Sequence, residues 1–191
     1  MKNTTRLTIL VITIALCLPV KAQELLKDEA KAASEFLNQV RQDPDAFSDE
    51  TGVDLSYVEA KPELSWNSKL AGAAEKKALD MATRNYFGHT DPDGYGMNYR
   101  IFHAGYKIPE DWFEDVASNY FESIQAGHST GKRAIIDLII DEGVDPPGHR
   151  NHLLGIEDFW SNCTDIGIGM AKKEGSTYTY YMCVMVAKHD F

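Results

Sequence analysis

The chain has 191 residues and carries 29 acidic against 19 basic side chains, a formal charge of −10. A surface of that sign repels phosphate backbones and anionic lipid headgroups, which excludes nucleic acid as the expected partner. The same charge can concentrate cations, divalent metals among them, although a solvated soluble surface is the better explanation of it.

Lys2 and Arg6 precede an apolar run from Leu7 to Leu18, which Pro19 breaks, and Val20-Lys21-Ala22 puts small residues where a signal peptidase cuts. This pattern predicts a cleavable signal peptide over residues 1–22 and a single domain over 23–191. The apolar run is shorter than the roughly 20 residues that span a bilayer, so no transmembrane segment is expected in the mature chain. Export, to the periplasm or beyond, is the expected localisation. Cleavage removes Lys2, Arg6 and Lys21 but no acid, which takes the formal charge to −13.

Along the mature chain a first helix is expected from near Glu24, with Ala33, Phe36, Leu37 and Val40 at helical spacing. It should stop before Asp43-Pro44, because a proline disfavours helical geometry in the residue before it. Residues 45–65 read as irregular. A second helix is predicted from about Asn67 to Asn85, with Leu70, Ala73, Ala74, Lys77, Ala78 and Met81 facing inward. Phe87 to Gly94 is a turn-rich loop. A short helix around Asn98–Ala104, a strand within 112–125 and a third helix from near Thr130 follow.

Two strands close the chain, around Ile166-Gly167-Ile168-Gly169 and Tyr180 to Val186. Folded as a hairpin about Glu174, they would set Cys163 nearly opposite Cys183, and a disulfide there suits an oxidising compartment. Helices first and an antiparallel hairpin last give an α+β layered domain.

Several motifs are decoys. Gly127-His128-Ser129-Thr130-Gly131 has the form of a hydrolase nucleophile elbow, but the parallel sheet that motif needs is not foreshadowed upstream. A turn capped by Ser129 or Thr130 explains the same residues. The same stretch misses the P-loop spacing, with Arg133 where Ser or Thr should stand. Asp91-Pro92-Asp93-Gly94 opens like a calcium loop without the later ligands, so a tight turn is the better reading. His89, Glu122, Asp141, His149 and His152 remain as candidates for chemistry. A lone histidine is more often a structural hydrogen-bonder, and His149 and His152 share a face only if their segment is helical.

The order of motifs resembles one family. Phe36-Leu37-Asn38-Gln39-Val40-Arg41-Gln42-Asp43-Pro44 is similar to the opening helix of bacterial domains of the CAP superfamily (cysteine-rich secretory proteins, antigen 5, pathogenesis-related 1; also called SCP-like). Leu64-Ser65-Trp66-Asn67 and the alanine-rich helix after it resemble the second helix. The Phe87–Gly94 loop resembles the one carrying the first cavity histidine. Glu122-Ser123-Ile124 is similar to the Glu-Asn-Ile element, and Gly148-His149-Arg150 to the Gly-His-Arg element. Ile166-Gly167-Ile168-Gly169 resembles the strand that follows. Glu114-Asp115-Val116 competes with Glu122, but the spacing to Gly143 favours Glu122.

The resemblance implies a three-layer α-β-α sandwich with a mostly antiparallel central sheet and a surface cavity. It places His89, Glu122 and His149 in that cavity. Asp141 maps to a further family acid, with Leu138 where that acid's tryptophan stands. Ser123 replaces the usual asparagine, and extra residues around Gly155–Ser161 lengthen one wall. Two imidazoles, His89 and His149, suit Zn2+ or another divalent cation, with Glu122 and Asp141 acting through water or orienting the rings. No organic cofactor is expected. The implied function is a secreted binding module for a divalent metal, a small hydrophobic ligand such as a sterol or fatty acid, or both. The alternatives are a metal- or carboxylate-assisted hydrolase and a partner of cell-envelope proteins with a vestigial cavity.

Overall fold

The computed structural model describes residues 23–188, so the expected signal peptide lies outside the described residues. Helix α1 spans Lys27–Gln42 and buries Ala30, Ala33, Phe36, Leu37 and Val40. It ends where Asp43 precedes Pro44, as the proline requires. Glu24–Leu25 are not its first turn. They form a short strand, β1, antiparallel to the chain at Ala171 and Lys172, which satisfies backbone groups on an otherwise open sheet edge. The stretch expected to be irregular contains a 3-10 turn over Asp45–Phe47, helix α2 (Ser48–Thr51) and strand β2 (Ser65–Trp66).

Helix α3 covers Ser68–Arg84. Asn67 caps it, its Oδ1 accepting the backbone N–H groups of Lys69 (3.0 Å) and Leu70 (3.3 Å). Helix α4 (Met97–His103) follows the turn-rich loop, and strand β3 covers Glu122–Ala126. Helix α5 is Gly131–Ile140, α6 is Gly148–Leu154 and α7 is Asp158–Ser161. Strands β4 (Asp165–Lys172) and β5 (Tyr180–Ala187) complete the sheet.

The sheet runs β1-β4-β5-β3, and β2 pairs in parallel with the other end of β4's outer edge. The β1–β4, β4–β5 and β3–β5 pairs are antiparallel. Helix α3 lies on one face, so near that Cβ atoms on Gly167 and Gly169 would come within 2.2 Å of its backbone. On the other face α1 and α5 pack together, and a Cβ on Gly131 would stand 2.0 Å from the Glu29 carbonyl oxygen. The molecule is therefore the expected α-β-α sandwich.

The expected disulfide is absent. The β4–β5 register pairs Cys183 with Gly169, leaving Cys163 ahead of β4, and both cysteines are buried free thiols. The hairpin turns farther along the chain than Glu174, because β4 runs on to Lys172, which pairs with Tyr180.

Candidate functional site

Strand β3 is the sheet edge away from β1, and its first residue is Glu122, whose side chain is fully buried. His89 reaches it from the loop after α3, with Nδ1 donating to Glu122 Oε2 at 2.8 Å. The second pair comes from the other helical layer. Asp141 ends α5 in a left-handed conformation (φ 52°) and turns its carboxylate onto the start of α6. Its Oδ2 accepts the His149 backbone N–H (2.8 Å) and its Oδ1 the His149 ring Nδ1–H (2.6 Å). The two imidazoles then face one another, ring centres 6.4 Å apart and planes 28° from parallel. Four residues that sequence alone leaves scattered thus form two His–carboxylate pairs. Glu114 lies exposed in a loop, so Glu122 is the residue brought to His89.

Each ring has its Nδ1 engaged, so Nε2 is the nitrogen each has left for a ligand. Among the described residues no group of three His, Cys, Asp or Glu side chains is arranged to hold a metal ion. The donor set fits a cation that takes two imidazole nitrogens and completes its shell with water, the carboxylates standing behind as orienters. It does not fit a closed structural zinc site.

His152 belongs elsewhere. Its Nε2–H donates to the Val186 carbonyl (3.0 Å), which fixes the tautomer and leaves Nδ1 to accept from Ser123 Oγ–H at 2.8 Å. Burial pushes its pKa down to about 4. It is a neutral hydrogen-bonding core residue, and its partner Ser123 occupies the place of the family's asparagine.

Three supporting residues escaped the sequence reading. Asn119 brings its side-chain amide within 3.0 Å of His89 Nδ1, on the ring nitrogen that also meets Glu122. Cys183 Sγ–H contacts Glu122 Oε1 at 3.4 Å. Lys77, buried among the alanines of α3, donates from Nζ to the carbonyls of Gly88 (2.7 Å) and His89 (2.8 Å). A lysine on an inward face is the one signal that marked it, since a buried ammonium needs acceptors.

The remaining motifs resolve as structure. Asp91 Oδ1 accepts the backbone N–H groups of Asp93 (2.9 Å) and Tyr95 (3.0 Å), which makes its motif the tight turn expected. Burial pushes the Asp91 carboxyl up, but Arg100 and those two backbone donors outweigh it and hold its pKa below the usual value. Gly127–Gly131 links a strand to a helix, yet β3 pairs antiparallel with β5, so no hydrolase elbow forms. The expected cap is also corrected: Thr130 makes no side-chain cap bond, and Glu29 Oε2 accepts the Gly131 N–H instead, at 2.8 Å. The lengthened segment after α6 folds as α7, where Trp160 packs on His152 and donates from Nε1 to the Tyr120 carbonyl at 2.8 Å. It braces the strand that presents Glu122.

With this fold and site in hand, the chain belongs to the CAP, or cysteine-rich secretory protein, family, whose model matches residues 34–185. Among solved structures it is similar to an outer surface protein from Borrelia burgdorferi. That match has 14% identity and a TM-score of 0.60, and covers 89% of this chain and 99% of the other. It is also similar to an extracellular protein containing an SCP domain from Bacillus anthracis, at 20% identity and a TM-score of 0.51. There the match covers 85% of this chain but 43% of the longer protein. At these identities the likeness speaks to fold alone. No curated protein matches the sequence.

Proposed function

We propose that this protein is an exported, non-catalytic binding module that holds a divalent cation such as Zn2+ between His89 and His149. The observation that carries the reading is the facing pair of imidazoles, 6.4 Å apart, each tied through Nδ1 to its own carboxylate. A carboxylate on Nδ1 fixes the ring and makes Nε2 a better electron-pair donor, the usual outer-shell arrangement of histidine metal sites. The commitments of the carboxylates favour binding over hydrolysis. Glu122 is fully buried between His89 and the Cys183 thiol, and both Asp141 oxygens are taken by His149. Neither stands open as a general base. Export rests on the signal-peptide pattern.

A second reading, a small hydrophobic ligand, is favoured by the apolar surface beside the site. Tyr120 and Phe159 remain 40% and 42% exposed while their rings pack on one another and on Trp112.

Calorimetric titration of Zn2+ into the metal-stripped domain of residues 23–191 tests the first reading. One ion per chain is expected, with affinity reduced at least tenfold in both His89→Ala and His149→Ala. Binding that survives both changes, or no binding to the parent, would discard the metal reading and leave the hydrophobic ligand to be sought.

A further inference from the structure

A cavity of about 450 Å³, whose lining includes neither His89 nor His149, lies between α3 and helix α4. That volume is in the range of small-molecule sites. Ala73, Met97 and Ala104 supply apolar lining, and the Tyr99 ring stands edge-on beside them, held between His103 (4.0 Å, 29°) and Tyr95 (4.6 Å, 31°). Those contacts leave an aromatic edge already ordered before a ligand arrives. The loop carrying His89 adjoins the cavity: Lys77 in the lining holds the His89 carbonyl, and Asp91 of the loop lines it too.

The charges divide into committed and uncommitted groups. Lys77 is held by the Gly88 and His89 carbonyls. Asp91 is occupied by Arg100 and by two backbone N–H groups. Asp80 accepts from the Tyr86 hydroxyl at 2.7 Å. The groups left over are donors. Arg100 uses Nε and Nη2 on Asp91, which leaves Nη1. The His103 Nδ1–H goes to the Tyr99 carbonyl (2.9 Å), so its Nε2 is a lone-pair acceptor and not one of them. Lys76, exposed at the rim, makes no ion pair or side-chain hydrogen bond among the described residues. In a protein with a large excess of acid, this cavity collects spare cationic donors around an apolar, aromatic interior.

We infer that this cavity is a binding site for a small organic anion: an aromatic body carrying one carboxylate or sulfonate-like group. The body lies against the edge of Tyr99 and against Ala73, Met97 and Ala104, and the anionic group meets Lys76 and Arg100 at the rim. A neutral ligand makes no use of those two charges, and a small inorganic anion leaves the apolar interior unfilled. The site is separate from the His89–His149 pair and does not depend on metal.

Fluorescence titration of residues 23–191 with 1-anilinonaphthalene-8-sulfonate, beside its uncharged relative N-phenyl-1-naphthylamine, reads this directly. The sulfonate is expected to bind once per chain and at least fivefold more tightly than the neutral compound. Lys76→Glu, a surface change that leaves the core intact, should weaken it at least fivefold, as should Tyr99→Ala in protein whose circular dichroism is unchanged. His89→Ala and His149→Ala should leave it unaltered, which separates this result from the zinc titration. Equal affinity for the neutral compound, indifference to Lys76→Glu, or loss of binding in the histidine variants would overturn the inference.

Discussion

His152 shows how one buried side chain makes stability depend on pH. Its folded pKa of about 4 lies below the ordinary value of 6.5 because burial disfavours the charged ring. Between those values the unfolded chain binds a proton that the folded chain refuses, so stability falls as pH drops through that window and is whole above it. The difference corresponds to about 3 kcal/mol. Urea denaturation at pH 7 and pH 4.5 should therefore show a steep loss in the parent and a shallower one in His152→Gln, which has no such proton to bind. Equal slopes in the two proteins would remove His152 as the source. The contrast with His149 is instructive: three residues apart on α6, one ring faces a carboxylate at the site and the other is sealed in the core. Residue type alone does not distinguish them.

At the scale of elements, the contact of α3 with β4 shapes the layer behind Glu122. Gly169 lets the helix backbone lie on the strand, and an added Cβ would meet the Ala74 carbonyl carbon and the Glu75 nitrogen at 2.2 Å. These are backbone atoms and cannot swing aside. Gly169→Ala should cost about 2–3 kcal/mol, the usual scale of overpacking. Gly72→Ala, on the same helix with nothing within 4 Å of the new atom, should instead stabilise by up to about 1 kcal/mol through helix propensity. Urea midpoints of the two variants check both signs, and a neutral Gly169→Ala would mean the layers can part without cost. The helix itself was legible: its alanine face and its bounds near Asn67 and Asn85 lie in local sequence. Strands β1 and β2 were not, because two-residue strands have no periodicity and form only where β4 offers an edge.

At the scale of the molecule, the core is closed by packing, with no covalent clip among the described residues. Burial pushes the Cys163 thiol up to about 11 and the Cys183 thiol well above its usual value, so neither is a ready thiolate. Purified residues 23–191, unfolded without reductant, should release two titratable thiols per chain, and native protein should react slowly. Finding none after unfolding would restore the disulfide that the hairpin reading proposed. That reading failed by a shift of register: cross-strand partners depend on where the turn falls, and the Lys172–Tyr180 connection lies later than the composition of residues 172–176 suggests.

What this sequence determined by itself was what short-range physics and motif order carry. The helix periods, the proline stop, the tight turn at Asp91 and the succession of family elements from Phe36 to Gly169 all lie within a few residues of their cause. The tertiary structure alone decided which side chains meet. His89 and Glu122 are 33 residues apart and come from a loop and a strand edge, while Asp141 and His149 are joined by the end of one helix and the start of the next. Their convergence depends on two helical layers closing around the same edge of a sheet. Local sequence cannot encode that, because such contacts exist only after the chain has packed.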